Sequence, residues 1–128
     1  MIILHKFRDE ILCNGLSNHE FRCRCINASC TITLVHDDLL EAFEVFRRLV
    51  GGPLQVNSGY RCQLHNASLK GSSPITRHCA GMAVDIDYSG KLAEFTSDQV
   101  LAMAKEAGFE FMYYKKERKF FHLQISVF

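Results

Sequence analysis

The sequence predicts an α+β fold, with a central, mainly antiparallel sheet flanked by helices. Three observations lead there. Two segments, about 37–50 and 97–107, carry helix signatures. Two others, Met82–Asp87 and Phe120–Val127, alternate apolar and polar residues as half-buried strands do. The charged stretch Lys115–Lys119 separates the last strand from an apolar run before it, as a hairpin turn would.

The chain has 128 residues, which fits one domain, and can bury roughly two-thirds of its unfolded surface. No repeat, low-complexity run or linker divides it. Residues 1–36 read as an irregular, cysteine-containing segment packed on the rest. The first helix spans about 37–50. Asp37 can cap it, and Leu39, Phe43, Phe46 and Val50 share one face. Gly51-Gly52 ends it, and Pro53 follows. Leu54–Ser58 reads as a short strand. Arg61–Leu69 reads as a helical turn, closed by the loop residues Lys70-Gly71-Ser72-Ser73-Pro74. The helix over 97–107 opens on Thr96 with Gln99 three residues on, a capping box, and Gly108 stops it. Phe109–Tyr114 and Phe120–Val127 form the hairpin.

Hydrophobic residues make up 48% of the chain and charged residues 23%, with a net charge of +1. That balance is globular. It lacks the clustered basic patch of a nucleic-acid binder. No apolar run approaches the roughly 20 residues that span a bilayer. The N-terminal stretch is too short and too acidic for a signal peptide. The expectation is synthesis in the cytoplasm, with action at the cell wall or periplasm after lysis-type release or as a virion component. Six cysteines stand at 13, 23, 25, 30, 62 and 79. They could form disulfides, a second structural metal knot, or free buried thiols.

His78 and Asp85 lie seven residues apart, and His122 lies near the end of the chain. Taken singly, each has a plain reading: a loop histidine, a strand-end carboxylate, a half-buried imidazole. Together they make a three-ligand set that leaves zinc an open position. Strand alternation supports the combination. Met82, Val84 and Ile86 face one way, and Ala83, Asp85 and Asp87 the other. Phe121, Leu123, Ile125 and Val127 form an apolar face opposite Phe120, His122, Gln124 and Ser126. If the two strands pair, Asp85 and His122 meet over one cleft. The small residues Ala80, Gly81 and Ala83 let the backbone pass close to a metal. Cys79 could add a soft ligand or stay a buried thiol. His5, His19, His36 and His65 read as surface or structural residues.

Ser58-Gly59-Tyr60-Arg61-Cys62-x-x-His65-Asn66, then Thr76-x-His78-x-x-Gly81-x-Ala83-x-Asp85-Ile86, then Phe121-His122-Leu123, resembles the M15 zinc peptidases. These include D-Ala-D-Ala carboxypeptidases and phage endolysins that cut peptidoglycan peptides. The likeness covers about residues 17–126 and is nearest to the small single-domain branch, with Glu20-Phe21-Arg22-Cys23-Arg24-Cys25 included. It implies the hedgehog/DD-peptidase fold and a Zn2+ cofactor held by His78, Asp85 and His122. It also implies a substrate-binding and oxyanion-stabilising role for Arg61, with Ser58 and Tyr60 on the same wall. Cys62 would pair with one of the Cys23, Cys25, Cys30 group. The implied activity is hydrolysis of a peptide bond in the peptidoglycan stem or cross-link, in phage lysis or at virion entry. The alternative is a non-catalytic zinc-binding descendant within a virion or cell-wall complex. The sequence departs from the family at the general base. Lys119 stands where an acid is usual three residues before the last histidine, and Gln124 where many small relatives carry an acid. Glu117, in the adjacent turn, is the first substitute, and Asp87 the second.

Overall fold

The computed structural model describes residues 2–5, 11–13, 16–17, 33–61, 69, 78 and 81–125. In chain order the elements are β1 (Ile2–His5), β2 (Ile11–Cys13), β3 (Leu16–Ser17), β4 (Thr33–His36), α1 (Asp37–Val50) and β5 (Val56–Ser58). Then come β6 (Ala83–Asp87), a 3-10 helix (Gly90–Glu94), α2 (Ser97–Ala107), β7 (Phe111–Lys115) and β8 (Phe120–Gln124).

The main sheet is antiparallel throughout, in the order β5-β6-β8-β7. Its central pair is β6 and β8, with Asp85 opposite His122. One sheet face is apolar. Val84, Ile86, Phe121 and Leu123 are fully buried there. Leu39, Ala42, Phe43, Phe46 and Val50 of α1, with Val100, Ala104 and Ala107 of α2, complete the core. The helices and sheet therefore share one interior, and the opposite sheet face carries Asp85, Asp87, His122 and Gln124 together with the aromatics Phe111, Tyr113 and Phe120.

Both helices end where their sequences predict, and α2 also begins there. Gly51 and Gly108 take left-handed backbone at φ 87° and 114°, where a side chain would be strained. Thr96 and Gln99 form the capping box. The cap of α1 differs from expectation. His36 keeps extended backbone and its Nδ1 accepts from the Asp38 N–H at 3.1 Å, so the cap is His36 rather than Asp37. His36 is thereby a buried structural histidine.

The N-terminal segment is not wholly irregular. β1 pairs with β4, and β2 with β3, both antiparallel. These strands have two to four residues, too few for alternation to show in the sequence. β5 starts at Val56 rather than Leu54, and β8 ends at Gln124, although the Ile125 N–H still bonds the Met82 carbonyl at 3.0 Å. The turn expected over Arg61–Leu69, the loop after it, and Cys23, Cys25, Cys30, Cys62 and Cys79 lie outside the described residues. Among the described residues, no helix is long and apolar enough to cross a membrane.

Candidate metal centre

β6 and β8 carry Asp85 and His122 side by side on the polar sheet face. His78 reaches them from the loop before β6. Two backbone N–H groups, those of Arg61 and Gly81, donate to the His78 carbonyl at 3.2 and 3.3 Å. Gly81 makes this turn at φ 70°, which favours glycine. Its carbonyl accepts from the His36 N–H at 2.8 Å. The loop is thus tied to both the α1 entry and the segment after β5.

The three side chains are buried, His78 at 2% exposure, Asp85 at 7% and His122 at 8%. Their ligand atoms converge. His78 Nε2 lies 3.3 Å from Asp85 Oδ1, and His122 Nδ1 lies 2.9 Å from the same oxygen. The outer nitrogens are engaged elsewhere. His78 Nδ1 is 2.7 Å from the Gly59 carbonyl oxygen, which can only accept. His122 Nε2 is 3.0 Å from Gln124 Oε1. With these outer nitrogens bonded to oxygens as N–H donors, each ring can turn a lone pair inward to a metal; without a metal, a proton between His122 Nδ1 and Asp85 Oδ1 makes the hydrogen bond there. Three electron-rich atoms cannot rest this close without a cation among them: protons in the free protein, or a metal ion. Tetrahedral bonds of 2.0–2.1 Å put neighbouring ligand atoms about 3.3 Å apart, close to the observed spacing. Outward N–H groups bonded to oxygen are the usual outer support of histidine ligands.

The electrostatics agree. Burial alone would push the Asp85 carboxyl up. Hydrogen bonds with His122 and His78, and the charge those rings carry when protonated, reverse this and hold it well below the usual carboxylate range. A second group, His36 with Asp37 and Asp38, also lies close together. Its His36 Nδ1 is already the helix cap.

The sequence profile of the Peptidase M15 family matches residues 14–124. The chain belongs to the Peptidase M15 family. The M15 fold is matched by the solved structure of Serratia marcescens L-Ala D-Glu endopeptidase ChiX, at a TM-score of 0.52 and 18% identity. That match covers 72% of this chain and 80% of ChiX. The comparison with curated proteins found no match. M15 peptidases are metal-dependent, and the His78–Asp85–His122 group of this M15 chain can hold a metal.

The M15 chain places Arg61 at the same centre. Its Nη2 donates to Asp85 Oδ2 at 3.3 Å and its Nε to Ser58 Oγ at 3.0 Å. Arg61 thus takes one carboxylate oxygen and leaves Oδ1 to face the imidazoles. Ser58 stands opposite Asp85 across β5 and β6, and Tyr60 is half-buried in the same segment. Glu117 is not brought to the cluster. It lies in the exposed β7–β8 turn, beyond Phe120, which is itself two strand residues (about 7 Å) from His122. Asp87 shares the face of Asp85, and Asn57 Nδ2 donates to its Oδ1 at 3.3 Å. Lys119 is exposed, with its backbone left-handed at φ 52°.

Besides the Gly59 carbonyl, two side chains have roles at the centre that the sequence does not reveal. Alternation puts Gln124 on the His122 face, and the structure brings its Oε1 to 3.0 Å from His122 Nε2, a role the sequence does not assign it. Tyr113, opposite His122 on β7, stacks on that ring. Burial and then the charge of Asp85 push the Tyr113 phenol up, against a lowering by Arg61. Its hydroxyl therefore shares the field of the centre. Alternation along 111–115 could have put Tyr113 on the His122 face, but the hairpin register was needed to pair them.

Proposed function

We propose that the protein is a zinc-dependent peptidase that hydrolyses a peptide bond in peptidoglycan, within the stem peptide or a cross-link. The observation that carries this reading is the convergence of His78 Nε2, Asp85 Oδ1 and His122 Nδ1, with both outer ring nitrogens already bonded to oxygens. Two imidazoles and a carboxylate suit zinc, and three protein ligands leave a position for water or substrate. Zinc, when bound, would polarise the scissile carbonyl and lower the pKa of its water. Membership of the M15 family and the fold shared with an L-Ala D-Glu endopeptidase support the substrate class.

The chain's own residues would act as follows. The Gly59 carbonyl and Gln124 hold the imidazole tautomers. Arg61 keeps Asp85 Oδ2 occupied, and its planar fork can also meet a substrate carboxylate or a developing oxyanion. Ser58 orients that fork. A second reading, a non-catalytic descendant that keeps the metal, is favoured by one observation. Among the described residues, the converging group contains no carboxylate besides Asp85.

Digestion of purified peptidoglycan by the zinc-loaded protein, followed by mass spectrometry of the fragments, separates the two. Release of fragments cut at a peptide bond, absent with His78→Ala, supports the peptidase. Intact peptidoglycan alongside full zinc occupancy supports the descendant.

A further inference from the structure

We propose that Tyr113 is a positioning residue for His122, fixing the plane of its imidazole. This rests on the metal reading above. The two residues face one another across β7 and β8. Their ring centroids are 4.9 Å apart and their planes differ by 17°. Tyr113 is 42% exposed while His122 is 8% exposed, so the phenol ring covers the imidazole on the solvent side.

The other contacts of His122 do not do this job. Asp85 and Gln124 bond its two nitrogens in the ring plane, at 2.9 and 3.0 Å. They set which nitrogen carries the proton, but an imidazole can still rock about the line joining them. The rings of His78 and Phe111 meet it obliquely, at 66° and 71°. A flat ring laid over the face opposes rocking directly and excludes water from that face. A lone pair aimed at a metal tolerates little angular error, so the clamp should show in how firmly a metal is held.

Tyr113→Phe keeps the ring; Tyr113→Leu keeps apolar bulk without it; Phe111→Leu removes the neighbouring aromatic of the same strand, which meets His122 and Tyr113 edge-on and is stacked on neither. Zinc-loaded full-length proteins are mixed with a chromophoric chelator and zinc release is timed. The metal-free proteins are followed by NMR of the His122 ring. Tyr113→Phe and Phe111→Leu should release zinc within about twofold of the parent, and Tyr113→Leu about tenfold faster or more. In the metal-free proteins the His122 ring resonances should broaden in Tyr113→Leu alone, since loss of a nearby aromatic shifts them in any case but only a rocking ring broadens them. Parent-like release by Tyr113→Leu would overturn the proposal. So would equal acceleration in Tyr113→Phe, which would assign the effect to the hydroxyl, or in Phe111→Leu, which would assign it to general loosening of the strand. A parent that takes up no zinc would refute the metal reading. The NMR comparison would then decide the clamp, and His122 resonances as narrow in Tyr113→Leu as in the parent would overturn it.

Discussion

Gln124→Leu should weaken zinc binding because it removes the acceptor that holds the outer proton of His122. In the zinc-loaded parent, Nε2–H would donate to Gln124 Oε1, 3.0 Å away, and leave the Nδ1 lone pair for the metal beside Asp85 Oδ1, 2.9 Å away. Without that acceptor the proton is better placed on Nδ1, donated to Asp85, and the lone pair points away from the centre. Loss of an outer partner of a histidine ligand typically costs 10–100-fold in metal affinity. That is about 1.4–2.7 kcal/mol at 1.4 kcal/mol per tenfold. A buried N–H left without an acceptor costs about 1–3 kcal/mol, which overlaps that range. Gln124 is half-buried, so water can partly replace it. The expected loss is therefore in the lower half, about 10–30-fold. Gln124→Glu should match or exceed the parent, because a charged acceptor bonds more strongly. Competition titration against a zinc chelator at fixed pH measures all three proteins. Parent-like affinity in Gln124→Leu would refute the tautomer argument.

Other perturbations have equally definite outcomes. Asp85 is held below the roughly 3.9 of an unfolded aspartate. Its contribution to the metal-free fold is therefore present above about pH 4 and lost as pH falls toward the lower folded value. Urea midpoints should drop in that window, and Asp85→Asn should flatten the drop; an equal drop in both proteins would contradict this. Phe121 is fully buried, stacked on Tyr114 at 4.6 Å and edge-on to Tyr88 at 5.2 Å. Phe121→Ala should cost about 3–5 kcal/mol by denaturant unfolding. Glu117 is exposed in the turn, so Glu117→Gln should retain peptidoglycan cleavage within about threefold of the parent; a loss of 100-fold or more would show that the turn delivers the base.

The parts of the fold legible in the sequence are those with a strong local signal. Helix α2 follows from Thr96, Gln99 and Gly108, whose roles are set within a few residues. Strands β6 and β8 follow from alternation, and their antiparallel pairing places Asp85 opposite His122 as that alternation allows. The cap of α1 was misplaced by one residue because His36 is seldom a first choice there, although its Nδ1 can accept as a carboxylate does. Strands β1 to β4 are not legible because each is very short, and because β1 pairs only with the distant β4. At the site, His78, Asp85 and His122 were readable from residue type and motif. Gln124, Tyr113 and the Gly59 carbonyl were not, because each acts through register or backbone geometry that residue types do not encode.

The central claim is that His78, Asp85 and His122 together hold one zinc ion. X-ray absorption at the zinc edge, on protein of measured metal content, tests it most directly. The account predicts about one zinc per chain, with nitrogen and oxygen ligands near 2.0–2.1 Å, no sulfur, and loss of the ion in His78→Ala. A metal-free native protein, or zinc bound to sulfur at about 2.3 Å, would contradict it.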